Sequence, residues 1–288
     1  MSDHFVISRP APEPDPAAAP YDKRRLSYAT TFTNPVASSV IRTMEWMTGK
    51  LTLLRLIRRF ERRGAPHGQA FWSAALQVMG IDVRTPAEQV ARLPATGPLI
   101  VVANHPHGLV DGMVLAELIG RRRTDYRILT RSLLTGVEEV ARFMIPVPFP
   151  HEEGAQARFL EMRREAMAHL ARGGAVVLFP SGVVASSDTA FGPVQEREWN
   201  PFTAKMIAKS GAAVVPIRFT GANSRAYQVA GRLSATLRQG LLIHEVVRSL
   251  NRPQAPVIGA PFDPAEIEAR AGRPRELMAW LRERTLSL

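Results

Sequence analysis

The stretch that decides the fold is residues 101–112, which read Val-Val-Ala-Asn-His-Pro-His-Gly-Leu-Val-Asp-Gly. It continues an apolar run, residues 98–103, which is typical of a buried strand and stops abruptly in a polar turn that contains Pro and Gly. After the turn, residues 113–119 carry apolar side chains at helical spacing. The turn is therefore predicted to lie at the carboxyl end of a strand, where open α/β sheets place their active sites.

This turn holds a histidine and an aspartate six positions apart, His105 and Asp111. Pro106 stiffens the chain, and Gly108 and Gly112 allow it to double back, so that the two side chains can meet. The carboxylate would then fix the imidazole tautomer and stabilise the imidazolium, while the other ring nitrogen stays free to take a proton. The pattern favours acid–base chemistry at this pair.

Apolar strands and helices alternate beyond residue 98. The predicted strands cover residues 98–103, 126–130, 145–149, 175–179, 213–219 and 255–258. The predicted helices between and after them cover residues 110–120, 133–143, 154–172, 201–209, 224–250 and 264–286. This rhythm predicts one α/β domain, residues 96–288, with a mostly parallel sheet flanked by helices.

A second strand ends in the same manner as the first. Residues 176–183 read Val-Val-Leu-Phe-Pro-Ser-Gly-Val, so Pro180, Ser181 and Gly182 form a turn at the carboxyl edge of the sheet. A third apolar run, residues 214–217, contains Pro216. Because Pro removes a ladder hydrogen bond, Pro216 predicts a bulge or an edge position.

The N-terminal part of the chain is predicted to be a tail followed by helices. Residues 1–34 include a Pro/Ala-rich stretch and are interpreted as a disordered tail. Residues 35–63 have apolar side chains at three- and four-residue steps among many arginines, which indicates an amphipathic helix with a break near Gly49. With short helices at residues 71–80 and 86–93, they make up a helical, membrane-facing region, residues 35–95.

The charge balance favours an anionic partner. Lys and Arg number 37 against 26 Asp and Glu, a formal net charge of +11. The basic helix over residues 35–63 fits either a solvated helix packed on the core or a helix in a membrane interface. Nucleic acid is not expected as a partner, because no nucleic-acid-binding motif accompanies the charge.

Some chemistries are excluded by composition. The chain has no cysteine, so it forms no disulfide, no thiolate nucleophile and no Cys-ligated zinc site. Ser181 is expected to be a turn residue, because Pro-Ser-Gly-Val is not the Gly-x-Ser-x-Gly elbow of hydrolases. No export signal and no apolar run of membrane-spanning length is apparent.

Three motifs together resemble those of the glycerophospholipid (lysophospholipid) acyltransferases. They are Asn-His-Pro-x-Gly-x-x-Asp-Gly at residues 104–112, Phe-Pro-Ser-Gly at residues 179–182 and Val-Val-Pro-Ile at residues 214–217. Residues 41–50 and 220–224 are similar to the hemolysin-like branch, which includes lyso-ornithine lipid acyltransferases. The resemblance extends over residues 35–262.

The resemblance implies transfer of a fatty acyl group from a thioester of acyl carrier protein or coenzyme A to the hydroxyl of a lysolipid, without a cofactor or a metal. It implies that His105 is the general base and that Asp111 orients it. It also implies a peripheral protein on the cytoplasmic face of an anionic membrane. The motif residues expected to contact substrate are Asn104, His107, Gly108, Gly112, Pro180, Ser181 and Gly182.

The motifs depart from the wider family pattern at three places. Five residues separate His105 from Asp111, where four are usual. The common Phe-Pro-Glu-Gly-Thr-Arg is Phe-Pro-Ser-Gly-Val-Val at residues 179–184, and Pro150-His151 stands where an Arg is usual. Because the missing groups bind an acceptor phosphate in the wider family, the departures favour another head group, such as that of an amino-acid lipid.

Two other functions fit the same residues. His105, His107 and Asp111 resemble a metal-ligand cluster, which would suit a metal-dependent hydrolase. A basic, non-catalytic lipid-binding protein at the membrane surface is the second alternative. For acyl transfer, an oxyanion donor is also required, and the turns at Gly108 and at Ser181-Gly182 are both candidates.

Overall fold

The computed structural model describes Ser27 and residues 35–130, 137–148 and 154–288. The predicted tail, residues 1–34, lies outside this part of the chain except for Ser27. So do the beginning of the helix predicted from residue 133, the end of the strand predicted over residues 145–149, and Pro150-His151.

Within the described ranges, eight strands form two sheets. They are β1 (Leu99–Ala103), β2 (Tyr126–Thr130), β3 (Met144–Pro146), β4 (Ala175–Leu178), β5 (Ser186–Ser187), β6 (Val194–Gln195), β7 (Ala213–Arg218) and β8 (Val257–Ile258). The main sheet has the order β3-β2-β4-β1-β7-β8. All its neighbours are parallel except β8, which is antiparallel to β7. The predicted fold class, a mostly parallel sheet flanked by helices, is confirmed.

Strand β1 lies at the centre of this sheet. Leu99 is in register with Ala175 of β4 on one side and Ala213 of β7 on the other. All five residues of β1 are fully buried, as expected for a strand covered on both faces. The carboxyl ends of β1, β4 and β7 therefore meet at one edge, which brings the turns that follow them together.

Helices cover both faces of the sheet. They are α1 (Pro35–Glu45), α2 (Leu51–Arg62), α3 (Ala70–Val78), α4 (Ala87–Val90), α5 (Leu109–Gly120), α6 (Glu138–Phe143), α7 (Ala155–Ala171), α8 (Pro201–Ser210), α9 (Arg225–Leu233), α10 (Ala235–Gly240), α11 (Leu242–Arg248), α12 (Pro264–Glu268) and α13 (Pro274–Leu286). Alternate residues of β1 serve the two faces. Val101 belongs to the core with α3 and α5, and Ile100 to the core with α7, α8 and α13.

Pro216 occupies a regular position in β7. It is in register with Val102 of β1, and its carbonyl oxygen accepts the N–H of Gly259, 2.9 Å away. Since the nitrogen and carbonyl of one strand residue face the same neighbour, the missing N–H faces the two-residue strand β8. Strand β7 is therefore continuous and is the second strand from the edge of the sheet. The prediction that Pro216 marks a bulge or an edge strand is wrong.

The helix predicted over residues 35–63 is broken at Gly49, as expected. Helix α1 continues into a single π-helical turn, Trp46–Lys50, and α2 starts at Leu51 after a non-helical conformation at Gly49. A Cβ atom at Gly49 would lie only 2.6 Å from Cγ2 of Val247 on α11. Glycine therefore permits the close approach of this segment to α11.

Two features differ from the sequence prediction. Residues 224–250 form three consecutive helices, α9 to α11, rather than one. The hairpin of β5 and β6 was not predicted, because strands of two residues are too short to show a periodic pattern. Within the described residues, no helix combines the length and the apolar character needed to cross a bilayer.

Candidate active site

Asn104 joins the turn after β1 to the end of β7. Its side-chain amide donates to the carbonyl of Phe219 at 2.9 Å, and its amide oxygen accepts the N–H of Phe219 at 2.7 Å. Asn104 is buried. The structure thus uses both ends of this amide to hold two strand ends together, although the sequence suggested a contact with substrate.

Gly108 sets the course of the turn. It has a φ of 85°, which favours glycine, and it immediately precedes α5. Asp111 lies in the first turn of α5, and its Oδ2 accepts the N–H groups of His107 at 2.8 Å and Gly108 at 3.1 Å. A carboxylate at a helix N-terminus is favoured by the helix dipole. The turn is therefore wrapped around the side chain of Asp111.

The carboxylate of Asp111 also holds two imidazole rings. Nδ1 of His105 lies 3.0 Å from Oδ2, and Nδ1 of His107 lies 2.9 Å from Oδ1. Burial opposes ionisation of this carboxyl group, but the hydrogen bonds from the two histidines outweigh it and lower the pKa of Asp111 to about 2. An ionised carboxylate only accepts, so both Nδ1 atoms carry protons and Nε2 of a neutral His105 is left as a proton acceptor.

The ring and the backbone of His105 are held from three further sides. The ring stacks on Phe179 at the end of β4, with centroids 3.8 Å apart and planes at 20°. The backbone N–H of His105 donates to Glu196 at 3.1 Å, and its carbonyl accepts the N–H of Ala185 at 2.8 Å. These contacts fix the position from which Nε2 of His105 can reach a substrate.

Glu196 is a buried carboxyl group of this site that has no sequence signal. Its second oxygen accepts the indole N–H of Trp199 at 3.1 Å. Burial raises the pKa of Glu196, although the hydrogen bonds from His105 and Trp199 act in the opposite direction. Glu196 lies 91 positions from His105 in the chain, so only the folded structure could reveal their contact.

The turn after β4 lies beside the first turn. The carbonyl of Pro180 accepts the N–H of Asn200 at 2.9 Å, and Oγ of Ser181 donates to the carbonyl of Val183 at 2.9 Å. Gly182 is exposed and adopts a φ of 66°. Ser181 is thus a turn residue, and the turn places Phe179 under the ring of His105.

The backbone donors suggested for an oxyanion are largely engaged. The N–H groups of His107 and Gly108 donate to Asp111, and that of Gly182 donates to the carbonyl of Phe179 at 2.9 Å. These three N–H groups already have acceptors within the protein. The suggestion that one of these two turns supplies the oxyanion donor stays a prediction.

There is free space next to Gly112, the residue that follows Asp111 in α5. A Cβ atom built at Gly112 would meet no atom within 4 Å among the described residues. On the other side of the site, a Cβ atom at Gly221 would lie 2.8 Å from Nε2 of His107. The site is therefore tightly closed around His107 and open next to Gly112.

The histidines and the aspartate do not gain a metal-ligand set from the rest of the described chain. No group of three or more His, Cys, Asp or Glu side chains with metal-binding geometry occurs among the described residues. Both Nδ1 atoms of the pair His105 and His107 face the carboxylate of Asp111. The arrangement is suited to proton transfer from a substrate to His105.

Comparison with known proteins identifies the family of this chain. A family model described as "Acyltransferase" matches residues 55–260. A lyso-glycine lipid O-acyltransferase of Phocaeicola vulgatus is 26% identical over 158 residues, which cover 54% of this chain and 53% of that protein. The lyso-glycine lipid O-acyltransferase of Bacteroides thetaiotaomicron is 26% identical over 159 residues, 54% of this chain and 55% of that protein.

The chain thus spans about half the length of the curated relatives it matches. The crystal structure of the 1-acyl-sn-glycerophosphate (LPA) acyltransferase of Thermotoga maritima superposes with a TM-score of 0.49 and 16% identity, over 75% of this chain and 76% of that one. The family model covers more than half of the chain and includes the turn with His105 and Asp111. The chain belongs to the acyltransferase family, as the motifs at residues 104–112, 179–182 and 214–217 predicted.

Proposed function

We propose that this protein transfers a fatty acyl group from an acyl thioester to the hydroxyl group of a lysolipid. The observation that carries the proposal is the buried, ionised Asp111, whose oxygen lies 3.0 Å from Nδ1 of His105 and leaves Nε2 as the base. Family membership and the two relatives named as lipid O-acyltransferases support the same reaction. Without cysteine, the chain has no thiolate with which to form an acyl-enzyme.

In the proposed reaction, Nε2 of His105 takes the proton of the acceptor hydroxyl as its oxygen bonds to the thioester carbonyl carbon. The carbonyl electron pair moves onto the carbonyl oxygen. When the C=O bond re-forms, the C–S bond breaks and the sulfur takes the proton from His105. The Asp111 carboxylate stabilises the imidazolium between these two transfers, and Phe179 holds the ring in place.

We propose an amino-acid lipid without an acyl chain on its hydroxyl as the acceptor, and acyl carrier protein or coenzyme A as the thioester carrier. Two relatives are named for a lyso-glycine lipid. The lyso-ornithine lipid suggested by the hemolysin-like resemblance belongs to the same chemical class. The chain also lacks Glu and Arg in the block Phe-Pro-Ser-Gly-Val-Val, residues 179–184.

The proposal includes binding to the surface of an anionic membrane, on the cytoplasmic face where acyl thioesters are made. Large apolar side chains are exposed on α1, the π-helical turn and α2: Val36, Val40, Trp46, Met47 and Leu51. Exposed arginines of α2 lie on the same segment, among them Arg55, Arg58 and Arg59. Apolar side chains beside cations are the pattern of a helix that lies in a membrane interface.

The deciding experiment measures acyl transfer from labelled acyl carrier protein and coenzyme A thioesters to a panel of lysolipids, including lyso-glycine lipid, lyso-ornithine lipid and lysophosphatidic acid. We expect turnover with an amino-acid lipid. We expect His105→Ala and Asp111→Asn each to lower it by about 10²–10⁴-fold, because general-base catalysis contributes about that much.

A matched control is His67→Ala, because the side chain of His67 is 67% exposed and pairs with Glu139 on α6, which is not part of the candidate site. It should keep full turnover. If the folded wild-type protein transfers no acyl group with any donor and acceptor, or if His105→Ala is as active as His67→Ala, the proposed function is wrong.

A further inference from the structure

A cavity of about 330 Å³ next to the active site is lined by three arginines. Arg197 follows β6, Arg232 lies on α9 and Arg238 lies on α10. Ser186, Asp188 and Gln228 line the cavity with them. None of these residues belongs to the motifs that carry the family resemblance.

The positive charge of this arginine pocket is only partly compensated. Arg197 pairs with Asp188 at 2.6 Å and also donates to Oγ of Ser186 at 2.9 Å. Among the described residues, no carboxylate lies within 4.0 Å of the side chain of Arg232 or Arg238. Three guanidinium groups against one carboxylate leave the pocket with an excess of positive charge. Guanidinium groups bind carboxylates and phosphates by paired hydrogen bonds.

Gln228 is a buried polar side chain in the wall of the pocket. The residue is only 2% exposed, and its amide oxygen accepts the N–H of Ser187 at 3.0 Å. Within the described part of the chain, the buried Nε2 of Gln228 has no hydrogen-bond acceptor. A buried amide donor without an acceptor costs free energy, so this part of the wall is polar but not internally satisfied.

The residues that precede Ser186 and Arg197 of the arginine pocket are both hydrogen-bonded to the backbone of His105. Ala185, which precedes Ser186, donates its N–H to the carbonyl of His105 at 2.8 Å. Glu196, which precedes Arg197, accepts the N–H of His105 at 3.1 Å. The two chain segments that supply Ser186 and Arg197 to the pocket are therefore fixed to the backbone of His105.

One element of the pocket packs against helix α1, which carries exposed apolar side chains. Helix α10, which holds Arg238, packs on α1 so closely that a Cβ atom at Gly240 would lie 3.0 Å from Sδ of Met44. Two large apolar side chains near the pocket are exposed, Phe191 by 85% in the β5–β6 loop and Leu233 by 74% after Arg232. Apolar side chains around a cationic pocket suit a lipid with an anionic head group.

We propose that the arginine pocket binds the anionic head group of the lysolipid acceptor, a carboxylate or a phosphate, while the acceptor hydroxyl reaches His105. Arg232 and Arg238 supply the charge that holds the anion. In binding the head group, the pocket thereby replaces the Glu and Arg side chains that are missing from residues 179–184. This inference names the acceptor site of the proposed function and rests on it.

A binding experiment with the full-length protein tests the pocket without any catalysis. The probes are N-octanoylglycine, octyl phosphate and, as the uncharged match, the methylamide of N-octanoylglycine. We expect Arg232→Gln and Arg238→Gln each to weaken binding of an anionic probe about tenfold or more, with no change for the uncharged one. Arg284→Gln, an exposed arginine on α13, is the matched control and should bind all three as wild type does.

Two outcomes of this binding experiment would overturn the proposal. One is an equal loss for charged and uncharged probes, because the pocket would then not recognise charge. The other is that inorganic phosphate binds as tightly as octyl phosphate, because the pocket would then serve a free anion. Neither outcome depends on turnover, so an inactive protein that binds anionic probes through Arg232 and Arg238 would contradict only the proposed function.

In an assay of turnover, the KM values for the two substrates show whether the pocket binds the acceptor or the donor. Arg238→Gln should raise the KM for an anionic acceptor about tenfold or more and leave kcat and the KM for the thioester unchanged. Arg238→Lys should recover part of this loss, because charge remains while the paired geometry is lost. A rise in the KM for the coenzyme A thioester alone would assign the pocket to the phosphates of the donor and overturn the proposal.

Discussion

Nδ1 of His107 lies 2.9 Å from Oδ1 of Asp111, on the opposite side of the carboxylate from His105. One buried anion thus holds two imidazole rings, and only one of them, His105, is stacked on Phe179 at the sheet edge. Nε2 of His107 is enclosed, because it lies 2.8 Å from the position of a Cβ atom at Gly221. We therefore propose different tasks for the two histidines, proton transfer for His105 and organisation of the turn for His107.

Protonation of His107 should make stability depend on pH near neutrality. Burial by itself lowers the pKa of His107, but the hydrogen bond and the charge of Asp111 outweigh it and raise the pKa above 6.5. A raised pKa in the folded state means that protonated His107 stabilises the fold below pH 6.5, and that this contribution is lost as the pH rises through the folded-state pKa. We expect the free energy of unfolding in urea to be highest below pH 6.5 and to fall as the pH rises above that value.

His107→Gln should flatten this pH dependence, because it removes the group whose pKa differs between the folded and unfolded states. Urea titrations at five or more pH values would measure the slopes. A His107→Gln protein with the wild-type slope would show that another group titrates.

Asn104→Ala should lower the free energy of unfolding by about 2–4 kcal/mol, because it leaves the buried N–H and carbonyl of Phe219 without their partner. Asn200→Ala is the matched control. Asn200 caps α8 through a single bond to the N–H of Phe202, 2.8 Å long, and its loss should cost about 1 kcal/mol. Equal losses in urea denaturation would show that Asn104 does not join the two strands in solution.

Gly49→Ala should destabilise the protein by about 1–3 kcal/mol, because the new methyl group would lie 2.6 Å from Val247. Val247→Ala should relieve this contact. The double variant is therefore expected to be more stable than the sum of the two single losses predicts, by at least about 0.5 kcal/mol in a double-mutant cycle. Additive losses would mean that the two residues do not touch.

Met47→Glu combined with Leu51→Glu should weaken binding to anionic vesicles by about tenfold or more, because both exposed side chains lose apolar burial in the interface and add negative charge. Leu160→Glu, at a similarly exposed leucine on α7, is the control and should bind as wild type does. Sedimentation with phosphatidylglycerol vesicles would measure both. Unchanged binding of the double variant would exclude this surface as the membrane contact.

The sequence by itself determined the features that depend on near neighbours in the chain. Strand β1, the turn and α5 follow from an apolar run, a Pro/Gly turn and helical spacing within residues 98–120. His105 and Asp111 could be paired in advance because only five residues, two of which are Pro106 and Gly108, separate them. The break at Gly49 was predictable for the same reason, since a glycine interrupts a local helical pattern.

Only the tertiary structure decided which distant groups surround that pair. Asn104 meets Phe219 across 115 positions and His105 meets Glu196 across 91, because β4, β1 and β7 are neighbours in a sheet whose strand order cannot be read from hydrophobic periodicity. The arginine pocket likewise draws its cations from three separate elements. Local patterns specify strands and turns, but contacts between them depend on how the strands are ordered and how closely their connections pack.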